Sequence, residues 1–342
     1  MFTRRGFLKS ALGAGAGLTL AARGSHWAAA QTPASQLERN KGVVRRFKES
    51  QGTKDEAAVM REIMAPGYKR SRAGMENLAN NARDQGFPGP GPGLRDAFPD
   101  RVDVIEDMIA EDDRVGMLFR VSGTQRGNFY GVPPTGKKID FYEIGFFRLA
   151  DGKITEGWFM ADEAGLLKQL GAQLPPRKDG RLIAPPVTDA GEDGDVVLQR
   201  LMAKPPVSKE DRNKVIIVRS KSSTPAPGDR APDHRQPRLG LQHMRDYGQA
   251  HGTAEFTPTR AFPGRNDRIT GLLAEGDKVW MQFNLRGTHQ ASFYGLPPTG
   301  RRVEMPEIGI MRIADGKWVE SWYFGDELGM LLQLGAVNML QS

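Results

Sequence analysis

The chain contains no cysteine, so disulfides, thiolate zinc sites, iron–sulfur clusters and cysteine nucleophiles are all excluded. Histidine is scarce, five in 342 residues, and aromatic residues make up only 8%. No apolar run reaches the roughly 20 residues that a membrane-crossing helix needs. No Gly-rich phosphate loop follows a strand pattern, which leaves phosphoryl and dinucleotide-redox chemistry without support. What remains is ordinary for a globular protein: 39% hydrophobic and 26% charged residues. The length suits about two domains.

A net charge of +7 invites a nucleic-acid reading, but its distribution removes it. Arg4, Arg5, Lys9 and Arg23 put +4 on the first thirty residues, which carry no acid, and only +3 falls on the other 312. Thr3-Arg4-Arg5-Gly6-Phe7-Leu8-Lys9 is followed by an uncharged Ala/Gly/Leu stretch from Ser10 to Ala22, and Ala28-Ala29-Ala30 has the small residues of a cleavage site. This head resembles the twin-arginine export signal of bacteria. The resemblance implies a signal peptide over 1–30, contact with the twin-arginine export machinery, a periplasmic or secreted protein and no stable membrane anchor.

The rest of the chain is one unit written twice. Gly123 to Gly136, containing Phe129-Tyr130-Gly131 and Pro133-Pro134-Thr135-Gly136, recurs as Gly287 to Gly300 at an offset of 164. From Phe98 to Gly171 against Phe262 to Gly335 the alignment has no gap, and 37 of 74 positions are identical. Ala65-Pro66 matches Ala231-Pro232 at 166, and Arg39-Asn40-Lys41 matches Arg212-Asn213-Lys214 at 173, so the second copy has lost about seven residues around Lys221 to Asp229. Two copies of this length mean paired domains rather than a solenoid. The domains are placed at 35–171 and 212–338. Residues 172–211, with three Pro-Pro pairs and an acidic tract, read as a linker with one short helix, Val196 to Ala203.

Within each copy, helices come first and strands follow. In the first, Gln36 to Glu49, Asp55 to Met64 and Gly74 to Gln85 read as helices. Alternating runs then cover Val102 to Ala110, Arg114 to Thr124, Lys138 to Leu149 and Lys153 to Asp162. Ala150-Asp151-Gly152-Lys153, repeated as Ala314 to Lys317, is a hairpin turn because Asp-Gly tolerates positive φ. A short helix from Glu163 stops at Gly171. The fold class is α+β, a curved antiparallel sheet packed on N-terminal helices, twice over.

Side chains alternate along a strand, so parity assigns faces. Phe119 shares a face with Gln125, Phe283 with His289, Glu156 and Trp158 with Asp162, and Glu320 and Trp322 with Asp326. Glu143 and Glu307 sit on the mainly apolar face of the intervening strand. A carboxylate among such side chains is poorly solvated, its pKa rises, and it can move protons near neutral pH. Asp162 and Asp326 are the leading acid/base candidates, with Glu143 and Glu307 as partners. His289 could polarise a carbonyl, whereas Gln125 could act only as a neutral donor. Asp162 followed by Glu163 equally suits a helix N-cap. A metal-assisted reading through His234, His243 and His251 fits no standard zinc spacing, and His243 and His251 are expected on an exposed helix face.

Phe98-Pro99-Asp100, Gly123-Thr124, the Phe-Tyr-Gly and Pro-Pro-Thr-Gly runs, Asp151-Gly152-Lys153, Glu156, Trp158, Asp162 and Gln169-Leu170-Gly171, with their counterparts in the second copy, resemble the SnoaL-like polyketide cyclase family. The resemblance implies two tandem nuclear transport factor 2-like cones. It also implies cofactor-free aldol closure or isomerisation of a small apolar carbonyl compound, with Asp162 or Asp326 as acid/base and His289 assisting. Gln125 stands where the family's His would be, so the second copy is favoured as the reacting one. Gln125, Glu143, Trp158, Phe119, Glu307, Trp322 and Phe283 are expected to line the pockets. Neither metal nor cofactor is expected. Whether the protein is an enzyme stays open, since a non-catalytic protein for a small hydrophobic ligand would use the same cavity. The two copies are expected to supply each other's dimer contact, as a monomeric pseudo-dimer.

Overall fold

A computed structural model describes residues 34–86, 92–203, 208–253 and 258–341. The expected signal peptide and the core of the Pro/Gly loop after Gly86 lie outside them. In the first copy, α1 (Ala34–Ser50) and α2 (Glu56–Ile63) run into strand β1 (Met64–Ser71). Then come α3 (Glu76–Ala82), α4 (Pro92–Ala97), strands β2 (Val102–Glu111), β3 (Arg114–Thr124), β4 (Lys138–Ala150) and β5 (Lys153–Ala161), and α5 (Glu163–Leu170). The joining segment carries α6 (Gly194–Met202). The second copy has α7 (Lys209–Arg219), β6 (Arg230–Arg238), α8 (Gln242–Ala250), α9 (Pro258–Ala261), β7 (Asn266–Glu275), β8 (Lys278–Thr288), β9 (Arg302–Ala314), β10 (Lys317–Gly325) and α10 (Glu327–Leu334).

The sheets have equivalent orders, β1-β5-β4-β3-β2 and β6-β10-β9-β8-β7. Each holds four antiparallel strands, as expected, plus a parallel edge strand that the sequence pattern did not indicate, β1 on β5 and β6 on β10. Met64-Ala65-Pro66-Gly67-Tyr68 has no alternation to read. The pairing itself jumps from Met64↔Ile154 to Lys69↔Glu156, since Pro66 has no N–H to donate to a ladder. The sheets are therefore mixed rather than purely antiparallel.

Each sheet turns one face to its own helices and the other to its twin. Val115, Met117, Phe119 and Val121 of β3 join Phe47 of α1 in the first core. The opposite face contributes Ile109, Leu118, Ile144 and Met160, which pack with Leu273, Trp280, Ile308, Ile310 and Phe324 of the second sheet. Gly116 leaves room there for its own repeat counterpart: a Cβ would come 2.8 Å from Trp280 Cε3. Charge pairs cross in matching fashion. Lys41 meets Glu275 at 2.7 Å and Lys214 meets Glu111 at 2.5 Å, while Ala110 N and Ala274 N donate to the same two glutamates at 2.9 and 3.1 Å.

A bulge decides which face the last strand presents. Ile154 pairs with Leu149 but Glu156 with Arg148, so one residue of β5 is extra and parity flips. The same slip separates Trp318↔Ile313 from Glu320↔Arg312. Phe159 and Tyr323 therefore enter the helix-side cores, and Trp158 and Trp322 pack against the sheet–sheet core. Placing these two tryptophans in the cone pockets is corrected on that ground.

Candidate functional site

The first cone encloses a cavity of about 620 Å³ between α1, the turn before α2, β1 and the inner face of the sheet. Phe119 and Phe159 supply apolar wall, and Tyr68, Arg70, Lys48 and Glu143 bring polar groups to it. Lys48 ends the amphipathic helix α1 and is driven inward with it. Its ammonium lies 2.7 Å from Asp103 Oδ2, donates to Gln51 Oε1 at 3.1 Å, and stands 3.5 Å from the centroid of the Phe119 ring. Arg101, two residues before Asp103 on the same strand edge, donates to both carboxylate oxygens at 2.8 Å.

Burial disfavours charge, and the two inner titratable groups show it. Burial pulls Lys48 down to about 8, against the opposing pull of Asp103 and Glu143. Glu143, wholly buried and without a hydrogen bond among the described residues, is pushed above the ordinary carboxylate range by desolvation, which Lys48, Arg101 and Arg70 only partly offset. Asp103 is pushed upward by burial but held low overall by the charges and hydrogen bonds of Lys48 and Arg101. The room for Glu143 comes from Gly74, where any Cβ would collide with Oε1; Gly240 does the same for Glu307. The cavity thus holds a carboxyl that protonates easily, one ammonium and an apolar wall, a set suited to moving a proton at carbon.

The second cone repeats the charges and packs larger side chains and a helix around them. Lys221 meets Asp267 at 2.5 Å, Arg265 donates to the same carboxylate at 2.8 and 2.9 Å, and Lys221 stands 3.8 Å from the Phe283 centroid. Burial raises Glu307 to about 7. Trp318 occupies the place of Ile154, and Tyr323 crosses Phe283 edge-on at 6.3 Å. Over the region equivalent to Lys48–Ser50 sits α6: Ser223 N donates to Asp195 Oδ1 at 2.9 Å, and Val197 and Leu198 share a core with Ile269 and Phe283. The segment expected to be a linker is thus part of the second cone's packing.

Asp162 and Asp326 are brought neither to the first cone's cavity nor to solvent. Both cap the helix that follows them, accepting from Gly165 N at 2.9 Å and Gly329 N at 3.0 Å. Both reach across the domain boundary. Asp162 accepts from Arg238 at 3.2 Å and lies 2.9 Å from His243 Nε2; Asp326 accepts from Arg72 and, at 2.9 Å, from Asn77 Nδ2. The expected upward shift is reversed for Asp162. Burial would raise it, but His243, Arg238 and the Gly165 amide hold it at about 2.

His289 and Gln125 are equivalent turn clips. Gln125 donates to the carbonyls of Val132 and Pro133 at 3.1 and 3.2 Å and accepts from Thr135 Oγ1 at 2.7 Å. His289 Nδ1 accepts from Thr299 N at 3.2 Å and faces Thr299 Oγ1 at 3.1 Å, with its ring beside Phe262. Burial lowers the His289 pKa. The other described histidines do not converge: His234 meets Ser321 Oγ at 2.9 Å, His251 stacks on Tyr247, and His243, expected on an exposed face, is largely buried against Asp162.

The His243–Asp162 pair gives a pH prediction. Burial opposes protonation of His243, yet Asp162 and Glu327 raise its pKa overall. A raised histidine adds stability that is full below its unfolded pKa and is lost as pH climbs through the folded one. A lowered aspartate adds stability that is full above its unfolded value and is lost as pH falls toward 2. The pair is worth most between about pH 4 and 6.5. His243→Asn, which installs the residue that Asn77 provides on the other side, is expected to cost most stability near pH 5.5 and less above pH 8. Denaturant midpoints across pH check this.

Sequence reasoning missed Lys48, Arg101, Asp103, Tyr68 and Arg70. Arg101-x-Asp103 recurs as Arg265-x-Asp267 inside the ungapped repeat, which was a usable signal. Lys48 and Lys221 correspond only at the offset of 173, at the edge of the eroded region.

No curated protein matches the chain. Among solved structures, a SnoaL-like polyketide cyclase candidate from Jannaschia sp. CCS1 is 26% identical, covering 41% of this chain and 97% of its own, with a TM-score of 0.34. IdmH from Streptomyces antibioticus, a candidate polyketide cyclase, is 26% identical over 39% and 99%, with a TM-score of 0.32. TsrD from Streptomyces laurentii is 20% identical over 40% and 96%, also at 0.32. The family description "SnoaL-like polyketide cyclase" matches residues 53–170 and again 233–334, well over half of the sequence. The chain belongs to the SnoaL-like polyketide cyclase family, as a tandem of two domains.

Proposed function

We propose that the protein is an exported acid/base catalyst for a small apolar carbonyl compound, and that it works in the first cone with Glu143 as the proton carrier. The observation that carries this reading is a buried carboxyl of raised pKa, without a hydrogen bond among the described residues, on the wall of a cavity beside a buried ammonium. Family membership favours cyclase chemistry. Ionised Glu143 takes a proton from carbon next to a carbonyl, and the C–H pair moves onto the carbonyl oxygen as an enolate. Its carbon bonds to a second carbonyl carbon, whose π pair moves to oxygen, and that oxygen regains the proton from Glu143. Lys48 steadies the developing oxyanion. Asp162 and Asp326 hold the domains together in this reading, and His289 holds a turn.

A non-catalytic reading is favoured by one observation: the Lys48 ammonium is already matched by Asp103 at 2.7 Å. Turnover separates the two. With acetophenone as probe, the wild-type protein is expected to accelerate exchange of its methyl protons into D₂O. Stoichiometric binding without faster exchange supports the carrier reading instead.

Export rests on Arg4, Arg5 and the Ala28-Ala29-Ala30 pattern. Replacing both arginines by lysine is expected to keep the protein in the cytoplasm of a Gram-negative host with a twin-arginine system, read by cell fractionation. Unchanged export would remove this part of the proposal. The monomeric pseudo-dimer is proposed from the shared sheet–sheet core, and sedimentation at the mass of one chain is the expected result.

A further inference from the structure

The pseudo-twofold relation makes two equivalent environments at the edge of the sheet–sheet core, and only one is filled by protein. On one side the Tyr142 ring meets Trp322 edge-on at 5.3 Å and 78°, with the Arg238 guanidinium 5.9 Å from its centroid. The repeat sets Pro306 at the position of Tyr142, Trp158 at that of Trp322 and Arg72 at that of Arg238. Proline has no ring to reach across. In its place is a cavity of about 410 Å³, bordered by Pro306, Trp158 and Arg72 and roofed by Pro185 and Pro186 of the joining segment. The roof is pinned: Thr188 Oγ1 and Asp189 N donate to Glu304 at 2.6 and 2.7 Å.

We propose that this inter-domain cavity binds a neutral, phenol-sized aromatic molecule, seated as the Tyr142 ring is seated on the other side. Trp158 offers an aromatic wall, and Arg72 offers a guanidinium, the pairing that favours an aromatic ring. Arg72 Nε makes no hydrogen bond among the described residues and stands 3.6 Å from Glu76 Oε2, while Asp326 takes the other end of the guanidinium. The ligand is neutral because Glu76 and Glu304 border the same space and would repel an anion. The Tyr142 hydroxyl lies in the field of Glu106 and Arg120. The repeat replaces these with Thr270 and Asn284, both on the cavity wall, which suit an uncharged hydroxyl. The volume falls in the range of small-molecule sites. The walls come from both copies, so the site is a product of the tandem arrangement.

The test is a titration of the full chain with 4-fluorophenol, followed by ¹⁹F NMR. The wild type is expected to give a saturable shift, and Pro306→Tyr, which supplies the ring from the chain itself, is expected to weaken binding at least tenfold. Thr270→Phe fills the cavity from another strand and gives the same readout should Pro306→Tyr fail to fold. 4-Fluorobenzoate is expected to show no saturable shift. Absence of saturable phenol binding in the wild type, undiminished binding in the filled variants, or equal binding of the benzoate overturns the proposal.

Discussion

Asp326→Ala is expected to lower the stability of the whole molecule by about 3–5 kcal/mol, the usual consequence of removing one partner from a buried charge pair. Three losses coincide. The guanidinium of Arg72, largely buried, loses the carboxylate of the other domain; Asn77 loses its acceptor; and α10 loses its N-cap. One response works against them. Burial and then the charge of Asp326 push the Glu163 pKa up, while the Leu78 amide, Asn77 and Arg72 favour its ionised form. With Asp326 gone, Glu163 ionises more readily and takes over part of the balancing, which places the loss toward the lower end. Asp326→Asn keeps a capping side chain and is expected to cost less than alanine. Urea unfolding checks both. A loss below about 1 kcal/mol for alanine would mean the boundary is held by its apolar core alone.

Glu143→Gln is expected to do two opposite things. Proton transfer contributes about 10²–10⁴-fold to such reactions, and the amide cannot carry the proton, so acetophenone exchange should fall by that factor. Stability should rise at neutral pH. A carboxyl whose folded pKa exceeds its unfolded value favours folding only while protonated. Its ionisation in the unfolded chain therefore erodes stability as pH climbs from about 4.5 through the folded pKa. The amide does not titrate, so the gain of the variant over wild type grows across that interval and then levels. A carboxyl kept for structure alone would give a loss of stability with activity untouched. The opposition of the two readouts marks a group held at a cost for its chemistry.

The fold was legible because the repeat shows its own punctuation. Asp151-Gly152 and Asp315-Gly316 mark the hairpins, Gly171 and Gly335 end helices in the left-handed conformation, and alternation sets β2 to β5 and their twins within a residue or so. Strands β1 and β6 were not legible, because parallel edges interrupted by Pro66 and Gly67 in one and by Pro232 and Pro237 in the other have no period. The inner faces of β3 and β4 were read correctly, which is why Phe119 and Glu143 stand on the cavity wall. The face of β5 was not, since one extra residue turns Trp158 and Asp162 toward the other domain. That slip is invisible in sequence: the same letters serve either face, and only pairing with Arg148 and Leu149 decides. Lys48 escaped notice because it sits at a helix end, where a lysine ordinarily reaches solvent. Here the sheet curls over it and Asp103 receives it.

Catalysis in the first cone requires that a small carbonyl compound enter it beside Glu143. Methionine-methyl NMR tests it directly, because Met60 and Met64 line that cavity whereas Met281 and Met311 belong to the second core. Titration with acetophenone is expected to shift the methyls of Met60 and Met64 and leave those of Met281 and Met311 in place. Shifts confined to Met281 and Met311, or to Met305 and Met330 near Asp326, would contradict it.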